Sequence, residues 1–337
     1  MERRDEETKM RLGVIGLGEI GVVHVDGARS VAALTAVSDK DENLLRPFRG
    51  TSVEAFDDVT DLLDSPSVDG VSICLPHHLH HQVAMAAIAR RKHVLVEKPL
   101  AVTVAEGEEM VDAAEKAGVV LAASHNQIYY PAYEVMSQMI RGGQIGRPIF
   151  ARLRLGMDPN MGGWRASTKF AGGGVLFDSG VHRLYLVREF LGPPTFVSAV
   201  IDVPRESGET IANVVLRFQS GAIAVIEANQ NGPEGSFNDE VEVVGDDATL
   251  YSPGIEALNL GYRQGPPLRC YRNRAWATVD VPQDDWTGSV RKSIANFVHA
   301  VDNGTPPRVT GRDALDTLRL LHQIYDLASV VTEGNTS

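Results

Sequence analysis

Cysteine is nearly absent. The chain has two, Cys74 and Cys270. That leaves no disulfide framework and no zinc-ligand spacing, which suits a reducing compartment. Cys74 sits in the apolar run Val71-Ser72-Ile73-Cys74-Leu75, where a small buried thiol is the expectation. Positive charge is also short: 32 Lys and Arg stand against 44 Asp and Glu, a formal net charge of −12. A nucleic-acid footprint needs a basic face, so this balance argues against one and favours a small-molecule ligand. No apolar stretch approaches the roughly 18 residues of a membrane span. The charged residues 1–9 contain no apolar signal region, so a frayed tail and a cytoplasmic protein are expected. Internal repeats and low-complexity segments are missing too. What is present is ordinary core material, 43% hydrophobic over 337 residues, enough for two domains.

The first third alternates strand-like and helix-like runs. Strands are expected at 12–15, 34–37, 71–75, 94–96 and 119–122, and helices at 20–28, 59–63, 83–89 and 104–117, the last closed by Gly118. Repeated βα units imply a parallel sheet with right-handed crossovers and helices on both faces. The character changes after Asn126. A helix at 133–140 ends at Gly142-Gly143, and strand-like runs follow at 150–155, 196–203, 211–218 and 222–228. Ser220-Gly221 and Gly245-Asp246 fall between apolar runs, as in antiparallel meanders. A helix at 175–191 interrupts the strands, helices at 290–301 and 314–331 close the chain, and Gly265-Pro266-Pro267 reads as a surface loop. The expected fold class is α/β plus α+β. A doubly wound, Rossmann-type parallel sheet occupies 1–124, and an α+β domain on a large, mostly antiparallel sheet occupies 125–337, its final helices free to pack back on the first domain.

Gly16-Leu17-Gly18-Glu19-Ile20-Gly21 follows a strand and opens a helix, the context a dinucleotide turn requires. Gly16 permits the tight turn, Gly18 lets backbone approach a pyrophosphate, and Gly21 lets helix and strand pack closely. The phosphates would sit on the free N–H groups at the helix start, those of Glu19 and Ile20 included. Asp39 closes the second strand 18 residues after Gly21, near the spacing of a ribose-binding acid. Its charge would repel a 2′-phosphate, which favours NAD over NADP. Lys40 beside it would partly offset that repulsion, or is a solvated surface lysine.

Glu97-Lys98-Pro99 ends the apolar run His93-Val94-Leu95-Val96. A strand that stops on a charged pair and a proline delivers side chains to a cleft edge. Lys98 there could transfer protons and hydrogen-bond a substrate hydroxyl beside a dinucleotide; the alternative is a plain Glu97–Lys98 ion pair. The stretch Gly172 to His182 carries three glycines, then Asp178 and His182 four residues apart, hence on one face if a helix begins near Val175. A carboxylate and an imidazole projecting together could make an acid–base pair, histidine being the residue most readily tuned near neutral pH; the alternative is a capping Asp with a packed histidine.

Together these pieces resemble the glucose–fructose oxidoreductase/inositol dehydrogenase/rhizopine-catabolism (Gfo/Idh/MocA) family. The glycine turn, Leu75-Pro76-His77-His78-Leu79-His80, Glu97-Lys98-Pro99, Ser124-His125-Asn126, Gly142-Gly143-Gln144-Ile145-Gly146 and the Gly172 to His182 stretch occur in the family's order. His77 departs from it, standing where the family often has asparagine. The resemblance implies that Lys98 lies by substrate and nicotinamide, that His182 is the general acid/base, and that Asp178 orients substrate or supports the histidine. It puts Leu75, Pro76, His77, His80, Glu97 and Asn126 on the cofactor side. Tyr129, Tyr130, Trp164 and Arg165 become substrate-pocket candidates. His78 and His81 read as helix surface.

The implied activity is NAD-dependent oxidation of a secondary alcohol, or its reverse, on a sugar or cyclitol, with Lys98 and His182 converging on the reacting oxygen. Two other readings stay open: glycosidic cleavage through transient oxidation, and a non-catalytic dinucleotide-binding sensor. The resemblance also suggests a homodimer or homotetramer through the second domain's sheet. No metal, nucleic acid or membrane is expected. Arg152, Arg154, Arg165 and Lys169 could hold an anionic substrate group or be ordinary surface charges.

Overall fold

The structure is a computed structural model that describes residues 9–157, 162–202, 205–233, 237–254 and 265–331. It divides into two compact units: Met1–Asn126 with Thr287–Leu318, and Gln127–Trp286 with Arg319–Ser337.

The first unit holds six parallel strands: β1 (Arg11–Ile15), β2 (Ala33–Ser38), β3 (Glu54–Phe56), β4 (Gly70–Ile73), β5 (His93–Glu97) and β6 (Leu121–Ser124). Their order is β3-β2-β1-β4-β5-β6. β4 is buried along its whole length and β5 in all but its first residue, as suits central strands covered on both faces. Helices α1 (Glu19–Val31), α2 (His80–Ala89) and α3 (Val104–Ala117) are among its crossovers. α3 starts on a capping box of Thr103 and Glu106 and stops at Gly118, whose φ of 69° ends it in a left-handed turn. The order reverses between β1 and β4, which opens a crevice at the carboxyl ends of the strands. Gly16, Asp39, Leu75, Lys98 and Asn126 all follow those ends closely. The sequence led to five strands rather than six. β3 was missed because it is a short edge strand with an exposed first residue, Glu54, and so lacks an apolar run.

The second unit is built on one large sheet. Its strands are β7 (Pro148–Met157), β8 (Pro194–Asp202), β9 (Ile211–Phe218), β10 (Ile223–Asn229), β11 (Phe237–Asn238), β12 (Val241–Gly245), β13 (Thr249–Ser252), β14 (Arg269–Arg272), β15 (Ala275–Thr278) and β16 (Ser329–Val331). The main path runs β15-β14-β13-β12-β7-β10-β9-β8-β16, with β11 on β7. Pairing is antiparallel except β10 with β7 and β16 with β8. β9 shows why the sheet has an inside: Ala212, Val214, Leu216 and Phe218 are buried while Asn213, Val215 and Arg217 face out. Helices α4 (Pro131–Arg141) and α5 (Val181–Leu191) belong to this unit, and α5 packs on β7 and β10. On α5, Arg183 is fully buried; it donates to the Tyr133 hydroxyl at 3.2 Å and pairs with Asp239 at 3.5 Å.

Helices α6 (Trp286–Asn303) and α7 (Gly311–Leu327) close the chain. Thr287–Leu318 belongs to the first unit, beside the residues up to Asn126. Gly27 of α1 faces Ile294 of α6, and Gly107 of α3 faces Leu315 and Leu318 of α7. The expected helix to residue 331 ends instead at Leu327; Ser329–Val331 adds an edge strand to β8, as its two valines favour. The first eight residues and Val203 lie outside the described residues.

Candidate active site

The glycine turn is accounted for residue by residue. Gly16 has φ of +88°, and a side chain there would strike the Cys74 carbonyl oxygen. A side chain at Gly21 would strike the carbonyl oxygen of Gly16. Gly18 differs: a Cβ there would meet nothing within 4 Å. No internal packing demands its bareness, and open space at the head of α1 is what a pyrophosphate needs. α1 has no side-chain N-cap hydrogen bond, so its first N–H groups remain for an anion. The exposed Glu19 contributes backbone only, since its own charge would oppose phosphate. Asp39 Oδ2 accepts from Leu17 N at 2.6 Å, and Oδ1 from Asp41 N at 2.9 Å. A carboxylate has lone pairs beyond those two, so Asp39 is both fixed to the turn and able to take ribose hydroxyls. Lys40 is exposed. These residues fit a dinucleotide.

Leu75 and Pro76 leave β4 half-buried, and His77 is buried against the edge of the His80 ring, centroids 5.6 Å apart. His80 is fully buried, with Nδ1 2.9 Å from the Pro99 carbonyl oxygen and Nε2 2.8 Å from that of Leu75. It fastens the loops after β4 and β5 to each other, and burial pushes its pKa down. Asn126 donates from Nδ2 to Ser289 Oγ at 2.8 Å, tying the exit of β6 to α6. Lys98 is half-buried at the end of β5. Glu97 turns inward: Oε1 lies 2.9 Å from His24 Nε2, and Oε2 accepts from the Lys98 backbone N–H at 3.2 Å. Its side chain thus has a histidine as partner.

In the second unit Leu176–Gly180 forms a π-helical turn before α5, where a continuous α-helix was expected. Such wide turns occur mostly as single insertions, often at functional sites. Glu209 shapes this one. Its Oε2 accepts from Gly174 N at 3.0 Å, and its Oε1 from Leu176 N at 2.9 Å and the Tyr325 hydroxyl at 2.8 Å. Asp178 is buried on the turn; its Oδ2 accepts from Ser179 Oγ at 3.2 Å and pairs with Arg165 Nε at 3.4 Å. The Arg165 guanidinium lies 4.4 Å from the Trp164 ring centre. His182 stands half-buried in the first turn of α5. Tyr129 and Tyr130 are buried, Tyr130 edge-on to Tyr133 at 5.5 Å. Arg152 and Arg154 pair with Glu227 at 2.9 and 3.0 Å, and Arg154 also with Glu240 at 3.1 Å, so both serve the sheet. Lys169 is exposed over Phe170.

Residues 10–125 match the model of an oxidoreductase family with an NAD-binding Rossmann fold, and residues 133–251 match the Gfo/Idh/MocA C-terminal domain. A 1,5-anhydro-D-fructose reductase from Ensifer adhaerens is 35% identical over 328 residues, 91% of this chain and 93% of its own. The chain belongs to the Gfo/Idh/MocA family. It is an oxidoreductase of the class that works on CH–OH groups, and its first domain is an NAD-binding Rossmann domain. Another member, the myo-inositol 2-dehydrogenase of Thermotoga maritima, is 29% identical over 326 residues, 92% of this chain and 94% of its own. The crystal structure of an NAD-binding oxidoreductase from Klebsiella pneumoniae superposes with a TM-score of 0.84 at 28% identity, covering 95% of this chain and 97% of that one. Among the described residues no cluster of three or more metal-ligating side chains occurs, and no helix is long and apolar enough to cross a membrane.

Sequence reasoning passed over His24, Ser72, Glu209 and Tyr325. His24 carried a usable signal, a histidine three residues beyond the last glycine of the turn. Glu209 carried none, because its partners lie more than 30 residues away in either direction.

Proposed function

We propose that this protein oxidises a secondary hydroxyl of an uncharged sugar or cyclitol, or reduces the matching ketone, with Lys98 and His182 sharing the acid–base work on one substrate oxygen. The observation that carries this reading is the fixed carboxylate of Asp178, held by Arg165 and Ser179 one helical turn before His182. A carboxylate so placed supports an imidazole that gains and loses a proton. NAD, when bound, supplies the hydride acceptor or donor. His182 takes the hydroxyl proton as the carbon is oxidised, and Lys98 hydrogen-bonds the same oxygen and stabilises its developing charge. Arg165 spends its charge on Asp178, and Arg152 and Arg154 spend theirs on glutamates, which favours a neutral substrate over a uronate or nucleotide sugar. The activities named for the inositol and anhydrofructose relatives point the same way.

A panel of inositols, free sugars, uronates and nucleotide sugars, assayed with NAD and NADP, tests this. Turnover should fall on a neutral polyol, with the higher kcat/KM for NAD; a preference for charged sugars would overturn the substrate class. His182→Ala should lower kcat by about 10²–10⁴-fold with NAD affinity retained, and Lys98→Ala should also lose rate. Wild-type turnover in either removes that residue from the scheme. We further propose a homodimer or homotetramer through the outer face of the large sheet, where Phe196, Val200, Val215 and Ile223 are exposed. Light scattering reads it directly, and a monomer refutes it. The free thiols of Cys74 and Cys270 support a cytoplasmic setting.

A further inference from the structure

Two buried charged groups near the strand ends take no part in the scheme above. His24, on the second turn of α1, is fully buried. Its Nδ1 lies 2.6 Å from Ser72 Oγ on β4 and its Nε2 2.9 Å from Glu97 Oε1 on β5. With Nε2–H donating to Glu97, a neutral ring would accept the Ser72 hydroxyl proton at Nδ1 and a protonated ring would donate there instead; the buried carboxylate 2.9 Å away favours the protonated ring. Nδ1–H then donates to Ser72, whose own hydroxyl is left to face Cys74 Sγ at 3.8 Å, and Nε2–H donates to Glu97. The second Glu97 oxygen accepts the Lys98 backbone N–H at 3.2 Å. Burial opposes the imidazolium, but the Cys74 sulfur and the Glu97 carboxylate outweigh it and raise the His24 pKa. His24 and Lys98 in turn hold the Glu97 carboxyl low despite its burial.

A buried ion pair is a poor device for stability, since well-packed apolar residues of like volume often do as well or better. What this pair does that apolar residues could not is fix a direction. It joins α1, the helix opened by the dinucleotide turn, to the backbone N–H of Lys98. We propose that the His24–Glu97 ion pair is a positioning device, which transmits the seating of α1 to Lys98 and so sets the rate of the proton-handling step without touching the reactants. The proposal rests on the role given to Lys98 above.

The test compares wild type, Lys98→Ala, His24→Gln and the apolar double variant His24→Leu/Glu97→Met. Rates are measured on whichever panel polyol turns over fastest. The double variant should keep or raise Tm and hold NAD within about threefold of wild type. Its kcat should drop by about 10- to 100-fold with little change in KM, the scale on which a slightly misplaced group costs rate. Values of kcat within twofold of wild type, beside a slow Lys98→Ala, overturn the positioning role while leaving Lys98 its own. A fast Lys98→Ala overturns both. His24→Gln leaves Glu97 buried without its cation; the other titratable groups facing the pair are Cys74, Lys98 and His80. The acid limb of its kcat profile should therefore move up by about one pH unit or more, and an unmoved limb counts against the pair. Nitrogen-15 NMR of the intact wild-type protein needs no substrate: both His24 ring nitrogens should stay protonated above pH 8, and a neutral ring at pH 7 overturns the proposal outright.

Discussion

Two glycine-rich turns precede the two helices that carry this chemistry, and they are glycine-rich for opposite reasons. At the head of α1, the middle glycine, Gly18, faces open space. In the second unit the space is already taken. A side chain at Gly173 would come within 2.7 Å of Phe177 Cβ and 2.8 Å of the Tyr325 hydroxyl, and one at Gly174 would strike the Glu209 backbone. The first turn leaves room for a ligand, and the second lets a buried carboxylate reach backbone N–H groups. One sequence signal therefore hides two physical causes, and only the surroundings of each Cα tell them apart.

Substitutions can break or sharpen that contrast. Gly174→Ala should be the most damaging, costing roughly 3 kcal/mol or more, because backbone cannot yield as a side chain can. Denaturant unfolding reads it, and a loss below about 1 kcal/mol would mean the second turn is not packed as described. Glu209→Ala should follow, at about 1–3 kcal/mol, since two N–H groups and a hydroxyl lose their acceptor. Burial raises the Glu209 pKa above 4.5, against the pull of the N–H donors and Tyr325. An acid whose protonated form is favoured by folding contributes most below its unfolded value and loses that contribution as pH rises through the folded one. Wild type should thus lose Tm relative to Glu209→Gln as pH climbs above 4.5, and the opposite slope would contradict the raised value.

Gly18→Ala should be the mildest for the fold and selective for the ligand. Its φ of −66° suits alanine, so stability should stay within about 0.5 kcal/mol. NAD affinity should fall about tenfold or more, or ~1.4 kcal/mol, as a methyl group fills the approach of the pyrophosphate. Calorimetric titration measures it. Unchanged affinity would make Gly18 no different in kind from Gly174.

Most of the parallel sheet was legible because its central strands are unbroken apolar runs bounded by glycine, acid or proline. The glycine turn, Asp39 and Lys98 were legible because strand order sends them to the same edge. The misses share a cause. β3 and β16 are edge strands, so they carry no apolar run of their own to read. The tail at 329–331 continued the helical periodicity of α7 in sequence yet paired with Val200–Asp202 in space. The π-helical turn is shaped by Glu209, a residue about 30 positions away. His24 and Glu97 are 73 residues apart, so no local pattern pairs them. Local pattern reveals which residues are buried, and long-range pairing decides what buried polar groups do.

The first unit is discontinuous along the chain, and that orders its birth. When the ribosome has released residue 126, α1 and α3 still lack Ile294, Leu315 and Leu318, and Asn126 still lacks Ser289. About 160 further residues, the bulk of the other unit, must emerge before those partners do. A nascent NAD-binding unit thus waits, with apolar helix faces uncovered, until residues 287–318 have been translated.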